Sequence, residues 1–222
     1  MINIAIDGPC GSGKSTVAKA LSKELNILYL DTGAMYRACG LKANRLGINC
    51  RDENGVATFI NNIDLQVKYE GGAQHIYLDG EDVSLDIRKN EVSMFASDIS
   101  SLSIVRKKMV EMQREVASKQ DCVLDGRDIC MYVLPNANYK FFMTASAEIR
   151  AKRRYDELIS RGQQVNFEDL LAEINQRDYN DSHREHAPLA VAPDAEVIDT
   201  TNMTIEQVVA HISNKVRKGE GK

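Results

Sequence analysis

The feature that most constrains this chain is a glycine-rich octapeptide, Gly8–Ser15 (GPCGSGKS), which follows the apolar run Ile2–Ile6 almost directly. Apolar residues at helical spacing come next, at Val17, Ala18, Leu21 and Leu25. Residues 27–30 then form a second apolar run, and residues 34–46 a second helical pattern. Strands that alternate with helices predict an α/β fold, in which crossover helices join parallel strands.

The octapeptide matches G-x-x-x-x-G-K-S, the pattern of a loop that holds the phosphates of a nucleoside triphosphate. Its glycines let backbone N–H groups turn toward phosphate oxygens, and the following helix adds its positive dipole end. Lys14 supplies a charge for the β- and γ-phosphates, and the Ser15 hydroxyl is a ligand for Mg²⁺. The predicted ATP-binding loop consists of Gly8, Pro9, Cys10, Gly11, Ser12, Gly13, Lys14, Ser15 and Thr16. Such loops serve both nucleotide switches and phosphotransferases, so the reaction has to be inferred from the rest of the chain.

Composition narrows the class of protein. A chain of 222 residues suits one compact α/β domain with a small inserted lobe. The net charge of −4 argues against a general polyanion binder, so we expect no nucleic-acid partner. The five scattered cysteines lack C-x-x-C or zinc spacing and fit a reducing compartment. No apolar run approaches the roughly 20 residues of a membrane span, and no leader pattern is present. We therefore expect a cytoplasmic protein without membrane contact.

The pattern changes between about residues 64 and 83, where two runs of period-two alternation flank Gly71-Gly72. This predicts an antiparallel hairpin in an inserted lobe. The remaining predicted elements are helices at about 90–100, 104–119, 147–160 and 167–177, and strands at 122–124, 139–143 and 196–198. The capping-box spacing of Thr204 and Gln207 predicts a last helix.

Asp31–Arg37 (DTGAMYR) lies just past the second apolar run. Ligands bind at such strand ends in open α/β sheets, and the Thr32 hydroxyl and the Arg37 guanidinium both suit a phosphate oxygen. The alternative is an ordinary helix N-terminus, capped by Asp31 or Thr32, with Arg37 as a solvated charge.

Asp125–Asp128 (DGRD) follows the apolar residues Val123 and Leu124. An acidic residue after a buried strand is typical of a Mg²⁺-handling site, so Asp125 is a candidate metal residue. Arg127 adds a second phosphate-binding fork, and Asp128 adds an acceptor. The alternative is a plain β-turn.

Two basic clusters follow. The first comprises Arg150, Lys152, Arg153, Arg154 and Arg161; the second comprises Arg177 and Arg184, with Asp181 between them. If a helix continues through the second cluster, its three residues share a face. Charge runs usually form solvated faces. In a net-acidic protein, however, arginines downstream of a phosphate loop also suit a lid that closes over transferring phosphates.

These segments together resemble the bacterial-type cytidylate kinases, which are P-loop nucleoside monophosphate kinases. The resemblance rests on IDGPCGSGKS, LDTGAMYR, YLDGEDVS, LDGRD, RGQQVNFEDLL, RDYNDSHREHAPL and VIDTTNMTIEQV, in the family's order. It implies a P-loop kinase fold with a five-stranded parallel sheet flanked by helices. It also implies a monophosphate-binding lobe at about 36–105 that contains a small antiparallel sheet, and a short lid at about 150–187. The implied reaction is in-line transfer of the γ-phosphoryl group from ATP to CMP or dCMP with Mg²⁺, by a protein we expect to be a monomer.

The resemblance also implies roles for individual residues. The implied catalytic residues are Lys14, Arg127, Arg177 and Arg184. The implied CMP-binding residues are Thr32, Arg37, Ser97, Arg106, Arg127, Asp128, Asp181 and Arg184. Ser15, with Asp125 beside it, would hold Mg²⁺. Apart from the resemblance, Ser97 and Arg106 look like ordinary helix-surface residues.

Within this set, Ser97, Arg106 and Asp128 are the implied base-reading residues. Cytosine offers acceptors at O2 and N3, which a hydroxyl and a guanidinium can serve, and an amino group that a carboxylate can accept from. Uracil would point a carbonyl at Asp128 instead, and a site built for one hydrogen-bonding pattern rejects analogues that leave its polar groups unpaired.

Two departures from the family pattern bear on the site. Cys130-Met131 stands where the family usually has Gly-Thr; if position 130 needs a positive φ, a cysteine there costs about 1 kcal/mol or more. Cys10 lies inside the phosphate loop, where a helix N-terminus can lower the pKa of a thiol, so we expect it to be sensitive to oxidation.

Two rival functions are weaker. A P-loop kinase for another monophosphate or an alcohol shares the loop, but the base-reading residues argue against an alcohol. A nucleotide-dependent switch or RNA-associated protein lacks support, because the chain has no guanine-reading N-K-x-D and no broad basic patch.

Overall fold

The computed structural model describes residues 1–160 and 162–221, and of Asn90 it describes the backbone only. Its strands are β1 (Asn3–Asp7), β2 (Leu28–Asp31), β3 (Leu65–Glu70), β4 (Ala73–Leu78), β5 (Glu81–Asp82), β6 (Cys122–Gly126), β7 (Tyr139–Thr144) and β8 (Glu196–Asp199). Its α-helices are α1 (Lys14–Leu25), α2 (Thr32–Arg45), α3 (Glu53–Ile60), α4 (Asn90–Ile99), α5 (Ser103–Ala117), α6 (Ala147–Ser160), α7 (Phe167–His183) and α8 (Ile205–Arg217). A 3₁₀ turn covers Asp86–Arg88, and a π-helical turn covers Ile129–Val133.

The five-stranded sheet has the order β2-β6-β1-β7-β8, which confirms the predicted parallel sheet flanked by helices. The central strand β1 pairs in parallel with β6, where Ile4 lies opposite Val123, and with β7, where Ile6 lies opposite Phe141. The central residues of these strands are mostly apolar and buried, as expected of parallel strands whose two faces are both covered. The core on one face joins them to Leu21 of α1 and to α8, which the predicted Thr204–Gln207 capping box opens.

The chain divides into two compact units. The sheet unit comprises Met1–Tyr29 and Gln120–Lys222, and the inserted unit comprises Leu30–Lys119. The predicted lobe at about 36–105 falls within the inserted unit. Its role in binding a monophosphate stays a prediction.

The inserted unit contains the predicted hairpin. β3 and β4 pair in antiparallel fashion, with Glu70 opposite Ala73, and β5 adds a third strand that sequence patterning did not predict. Gly71 and Gly72 form the two-residue connection at φ 58° and 76°. Positive φ at both positions matches the twist of the flanking strands, and glycine adopts it without strain.

Helices α2 and α4 pack closely in the inserted unit at Gly40, where an added Cβ would lie 2.7 Å from the Cβ of Phe95. Among the helices of residues 1–160 and 162–221, none has the length and apolar character needed to cross a membrane.

Candidate active site

The phosphate loop leaves β1 at Asp7 and enters α1 at Lys14, as the sequence predicted. Gly8, Gly11 and Gly13 have φ of 147°, 76° and 90°, which side-chain-bearing residues rarely adopt. A Cβ added at Gly8 would lie 2.0 Å from the carbonyl oxygen of Met143, so β7 runs directly beneath the loop. This position accepts only glycine.

Lys14 lies within the loop and is 4% exposed. Its Nζ donates to the carbonyl oxygen of Pro9 at 2.7 Å and to the Ser12 hydroxyl at 3.3 Å. Burial, reinforced by the charge of Arg127, lowers the pKa of Lys14 to about 7. A polyanion bound in the loop would favour the charged amine and reverse this shift.

A hydroxyl and a carboxylate meet where α1 begins. Ser15 Oγ donates to Asp125 Oδ2 at 2.7 Å, and the Tyr29 hydroxyl donates to Asp125 Oδ1 at 2.8 Å. Asp125 itself is 5% exposed. Mg²⁺ prefers oxygen ligands and retains several waters, so a hydroxyl and a carboxylate in contact are the kind of ligands that it takes from a protein. The described residues contain no group of three or more His, Cys, Asp or Glu side chains arranged for a metal.

The loop after β6 is shaped by a carboxylate that the sequence analysis left without a role. Asp7 Oδ1 accepts from the backbone N–H of Ile129 at 2.8 Å, and Asp7 Oδ2 accepts from that of Cys130 at 2.7 Å. The strain that a positive φ at position 130 would cause does not arise, since Cys130 is not among the described residues with positive φ. Its thiol is buried beneath the π-helical turn, so the cysteine is accommodated as a small apolar residue.

The structure brings Arg127, Asp128, Asp181 and Arg184 together within the sheet unit. Arg127 Nε donates to Asp181 Oδ2 at 2.9 Å, and Arg184 lies 3.8 Å from Asp128 Oδ1. Burial alone would raise the pKa of Asp181, but the charges of Arg127, Arg177 and Arg184 outweigh it and hold that pKa below its ordinary value.

Arg177 extends this cluster of arginines and aspartates to the phosphate loop, because its guanidinium lies 3.7 Å from Cys10 Sγ. Burial raises the pKa of the Cys10 thiol, but Arg177, Arg127, Lys14 and Arg154 together lower it. Cys10 is also the one cysteine of the five that is not buried. The helix predicted over about 167–177 continues beyond that range, since α7 runs to His183 and includes Asp181, whereas Arg184 follows directly after it.

The residues of the first basic cluster differ in their burial and in their contacts. Lys152 and Arg154 lie on the partly exposed face of α6 and pair with Asp156 and Glu157, as expected of a solvated face. Arg153 instead donates to the hydroxyl and the carbonyl oxygen of Thr200 at 3.0 and 2.6 Å. Arg150 is buried. Arg161 lies outside the described residues.

In the inserted unit, Asp31 caps α2, and its Oδ1 accepts from the N–H of Ala34 at 2.9 Å. Asp31 Oδ2 pairs with Arg37 at 2.9 Å, so Arg37 is held in place instead of being fully solvated. Thr32 is 3% exposed. The capped helix terminus and the candidate phosphate ligands therefore coexist in one segment.

The two candidate base-reading residues of the inserted unit, Ser97 and Arg106, lie on different helices, α4 and α5. Ser97 is partly exposed, whereas Arg106 is 6% exposed and thus not a helix-surface residue. Its guanidinium lies 5.8 Å from the ring centre of Tyr36 and donates to the carbonyl oxygen of Ser100 at 3.2 Å.

Sequence reasoning missed three residues that shape the site: Asp7, Tyr29 and Asp178. The sequence signal at Asp7 was a single carboxylate at the end of an apolar strand. A buried carboxylate costs free energy unless it is paired, so a partner could have been expected. For Tyr29 and Asp178 the partners are distant in the sequence, at Asp125 and Arg150, and no local pattern indicates them.

Comparison with known proteins places the chain among enzymes of one family. A family model described as cytidylate kinase matches residues 4–218. The cytidylate kinase of Caldicellulosiruptor bescii is 50% identical over 99% of this chain and 98% of its own length. Those of Lactobacillus johnsonii and Clostridioides difficile are each 46% identical, over 98% and 96% of this chain and 95% and 97% of their own lengths.

Among solved structures, an uncharacterized protein from Eubacterium ventriosum matches with a TM-score of 0.55 at 14% identity, over 98% of both chains. A gluconokinase from Sinorhizobium meliloti matches with a TM-score of 0.50 at 14% identity, over 99% of this chain and 94% of its own. At this identity the likeness concerns the fold alone.

Proposed function

Because the chain belongs to the cytidylate kinase family, we infer that it transfers the γ-phosphoryl group of ATP to CMP or dCMP, giving ADP and CDP or dCDP. The observation that carries this conclusion is the family match across nearly the whole chain, together with a fully formed phosphate loop. ATP is the co-substrate, and CMP or dCMP is the acceptor.

For the phosphate donor, we propose that the loop Gly8–Thr16 holds the triphosphate of ATP. Lys14, already buried in the loop, would balance charge on the β- and γ-phosphates. Ser15 and Asp125 would hold Mg²⁺, and their 2.7 Å contact supports this assignment. The metal, when bound, neutralises charge on the phosphate oxygens.

For the transfer step, an oxygen of the CMP phosphate forms a bond to the γ-phosphorus while the bond from that phosphorus to the β–γ bridging oxygen breaks. ADP leaves with the bond's electrons on that oxygen. The monophosphate dianion already carries charge, so no side chain needs to remove a proton. Catalysis then consists of positioning and charge stabilisation, for which Arg127, Arg177 and Arg184 are the proposed groups. Their convergence around Asp181 supports a shared task.

For the acceptor, we propose that Thr32, Arg37 and Arg127 bind the CMP phosphate and that Asp181 binds the sugar hydroxyls with Arg184 nearby. Arg37 is oriented by Asp31, which supports a fixed fork for a phosphate. Ser97, Arg106 and Asp128 are the proposed base-reading residues, with Asp128 accepting from the cytosine amino group. Residues 36–105 would form the monophosphate-binding lobe and residues 150–187 the lid.

Two properties of the whole molecule also remain proposals. We expect a monomer. We also expect a cytoplasmic location, which the five free cysteines support because oxidising compartments favour disulfides.

The function is tested by following ADP formation from ATP with CMP and without an acceptor. The account predicts turnover only when CMP is present. ATP hydrolysis at the same rate without CMP would contradict it and would favour a nucleotide switch.

The acceptor site is tested with Arg37→Met and a matched control, Arg45→Met, on the same helix. Arg45 pairs with Glu81 on the exposed surface. We expect Arg37→Met to raise the KM for CMP by about 10-fold or more and Arg45→Met to leave it within about twofold, since loss of a charge-assisted phosphate contact costs about 1.5–3 kcal/mol. Equal KM values in the two variants would remove Arg37 from the acceptor site.

A further inference from the structure

Arg150 of α6 is the most extensively bonded arginine of the basic cluster on that helix. Its side chain is 6% exposed. Its Nε donates to the carbonyl oxygen of Ala145 at 2.9 Å, and its NH1 donates to the carbonyl oxygen of Cys10 at 3.0 Å. NH1 and NH2 also form a two-pronged ion pair with Asp178 of α7, at 3.1 and 2.5 Å. One guanidinium therefore connects α6, the phosphate loop and α7.

Asp178 lies on α7 close to two residues of the candidate site, Arg177 and Asp181. Asp178 directly follows Arg177, whose guanidinium lies 3.7 Å from Cys10 Sγ. It precedes Asp181 by three residues, so both side chains lie near one face of the helix. Asp181 in turn accepts from Arg127 at 2.9 Å. The helix segment that presents Arg177 and Asp181 is thus fixed to the phosphate loop through Arg150.

The guanidinium of Arg150 is directed into the protein. Four of its N–H groups are already donated to protein acceptors, and little of the side chain reaches solvent. A phosphate ligand would have to displace these bonds in a buried position, where unpaired groups are costly. This differs from the role of a lid arginine that faces the transferring phosphoryl group.

We propose that Arg150 and Asp178 form a positioning pair for phosphoryl transfer: Arg150 holds α7 at the phosphate loop, so that Arg177 is placed for the bound phosphates and Asp181 for the sugar hydroxyls. This rests on the proposed function, in which Arg177 and Asp181 belong to the active site. The pair acts through α7 and does not contact the substrate. Loss of the pair raises the barrier to transfer because a displacement of about 1 Å at a catalytic group costs up to about 100-fold in rate.

A matched control comes from a second half-buried ion pair in the same unit. Lys140 pairs with Asp194 at 2.8 Å, and its side chain is also 6% exposed. Asp194 and Asp178 are similarly exposed, at 22% and 27%. Neither Lys140 nor Asp194 contacts the phosphate loop or α7 through any described hydrogen bond. Asp194→Asn therefore removes a comparable carboxylate without affecting the proposed positioning.

The experiment compares kcat and KM for ATP and CMP in wild type, Arg150→Met, Asp178→Asn, the double variant and Asp194→Asn. We expect kcat to fall about 10- to 100-fold in both single variants and no further in the double variant, since either change breaks the link through Arg150 from the phosphate loop to α7. Asp194→Asn should keep kcat within about twofold of wild type, even if it lowers the melting temperature as much as Asp178→Asn does.

Hydrogen exchange by the same proteins separates positioning from stability. We expect faster amide exchange confined to α7 in Asp178→Asn, and no such change in Asp194→Asn. If Arg150→Met does not fold, Arg150→Lys takes its place, since lysine keeps the charge but loses the two-pronged geometry. The proposal is overturned if Asp178→Asn keeps the kcat of Asp194→Asn, or if the two single effects multiply in the double variant. Absence of CMP phosphorylation by the wild type would instead overturn the proposed function. Amide exchange in α7 would still decide whether the Arg150–Asp178 pair holds that helix in place.

Discussion

Asp7 offers a quantitative test of how the loop that carries Arg127 and Asp128 is held. Its carboxylate is 1% exposed and accepts two backbone N–H groups, from Ile129 and Cys130. Burial raises the pKa of Asp7 from 3.8 to about 6, against the lowering effect of the two hydrogen bonds and with a smaller contribution from Asp128. The ionised carboxylate thus serves as the anchor of the loop, although its burial is costly.

The pKa shift sets the direction and size of a pH effect. Since the pKa of Asp7 is higher in the folded than in the unfolded state, the folded protein binds more protons between these values. Its contribution to stability is present below the unfolded pKa and is lost as pH rises through the folded pKa. The shift of about 2 pKa units corresponds to about 3 kcal/mol, of which about 2 kcal/mol falls between about pH 4.5 and pH 7.5.

The assay is urea unfolding of wild type and Asp7→Asn across this pH range. Asparagine keeps the size of the side chain but cannot ionise, so the difference in unfolding free energy isolates the titration of Asp7. The NH₂ group of asparagine cannot accept the hydrogen bond from one of the two backbone N–H groups. That N–H is left unpaired, which costs about 1–3 kcal/mol at every pH. We expect wild type to lose about 2 kcal/mol relative to the variant as pH rises. A difference that stays flat, or that moves in favour of wild type, would refute the reasoning and show that the two N–H groups outweigh burial.

Three further predictions concern the site. Arg184→Ala should lower kcat by about 100-fold or more while the protein stays folded, because a charge that stabilises the transition state is lost; a nearly normal kcat in a steady-state assay would exclude this role. Ser15→Ala should raise the Mg²⁺ concentration needed for half-maximal rate by about 10-fold, measured by metal titration at saturating ATP, whereas an unchanged requirement would separate Ser15 and Asp125 from the metal. Alkylation of Cys10 should abolish activity, and ATP present during the reaction should protect it; full activity of a protein shown by mass spectrometry to be alkylated at Cys10 would contradict this.

The parts of the fold that follow from local pattern could be predicted from the sequence. The phosphate loop requires glycine at fixed positions, and the hairpin of β3 and β4 combines alternation with a Gly-Gly turn. The eight-residue helix α3 escaped prediction because it is short and contains Gly55, a weak helix former. Its buried face, formed by Val56, Phe59 and Ile60, indicates that packing supports it.

In the candidate site, too, some features follow from local sequence pattern and others depend on contacts between distant residues. The identities of Lys14 and Ser15 follow from the loop pattern, but their surroundings depend on contacts across the fold. The π-helical turn at Ile129–Val133 is held by Asp7, more than a hundred positions earlier, so no window of sequence around it reveals its shape. Arg150 belongs to a charge run that usually indicates a solvated face. Its burial is accounted for by partners that the local sequence pattern does not indicate: Asp178 on a second helix and the carbonyl oxygens of Cys10 and Ala145.

The measurement that tests the central claim most directly is ADP formation from ATP and Mg²⁺ with CMP, dCMP, UMP, AMP or no acceptor. The account predicts strong turnover with CMP and dCMP, weak turnover with UMP and none without an acceptor. In the proposed site, Asp128 would accept a hydrogen bond from the cytosine amino group, whereas uracil would present a carbonyl there. Equal kcat/KM for CMP and UMP would contradict the assignment of Asp128 as a base-reading residue, and acceptor-independent hydrolysis alone would contradict the kinase.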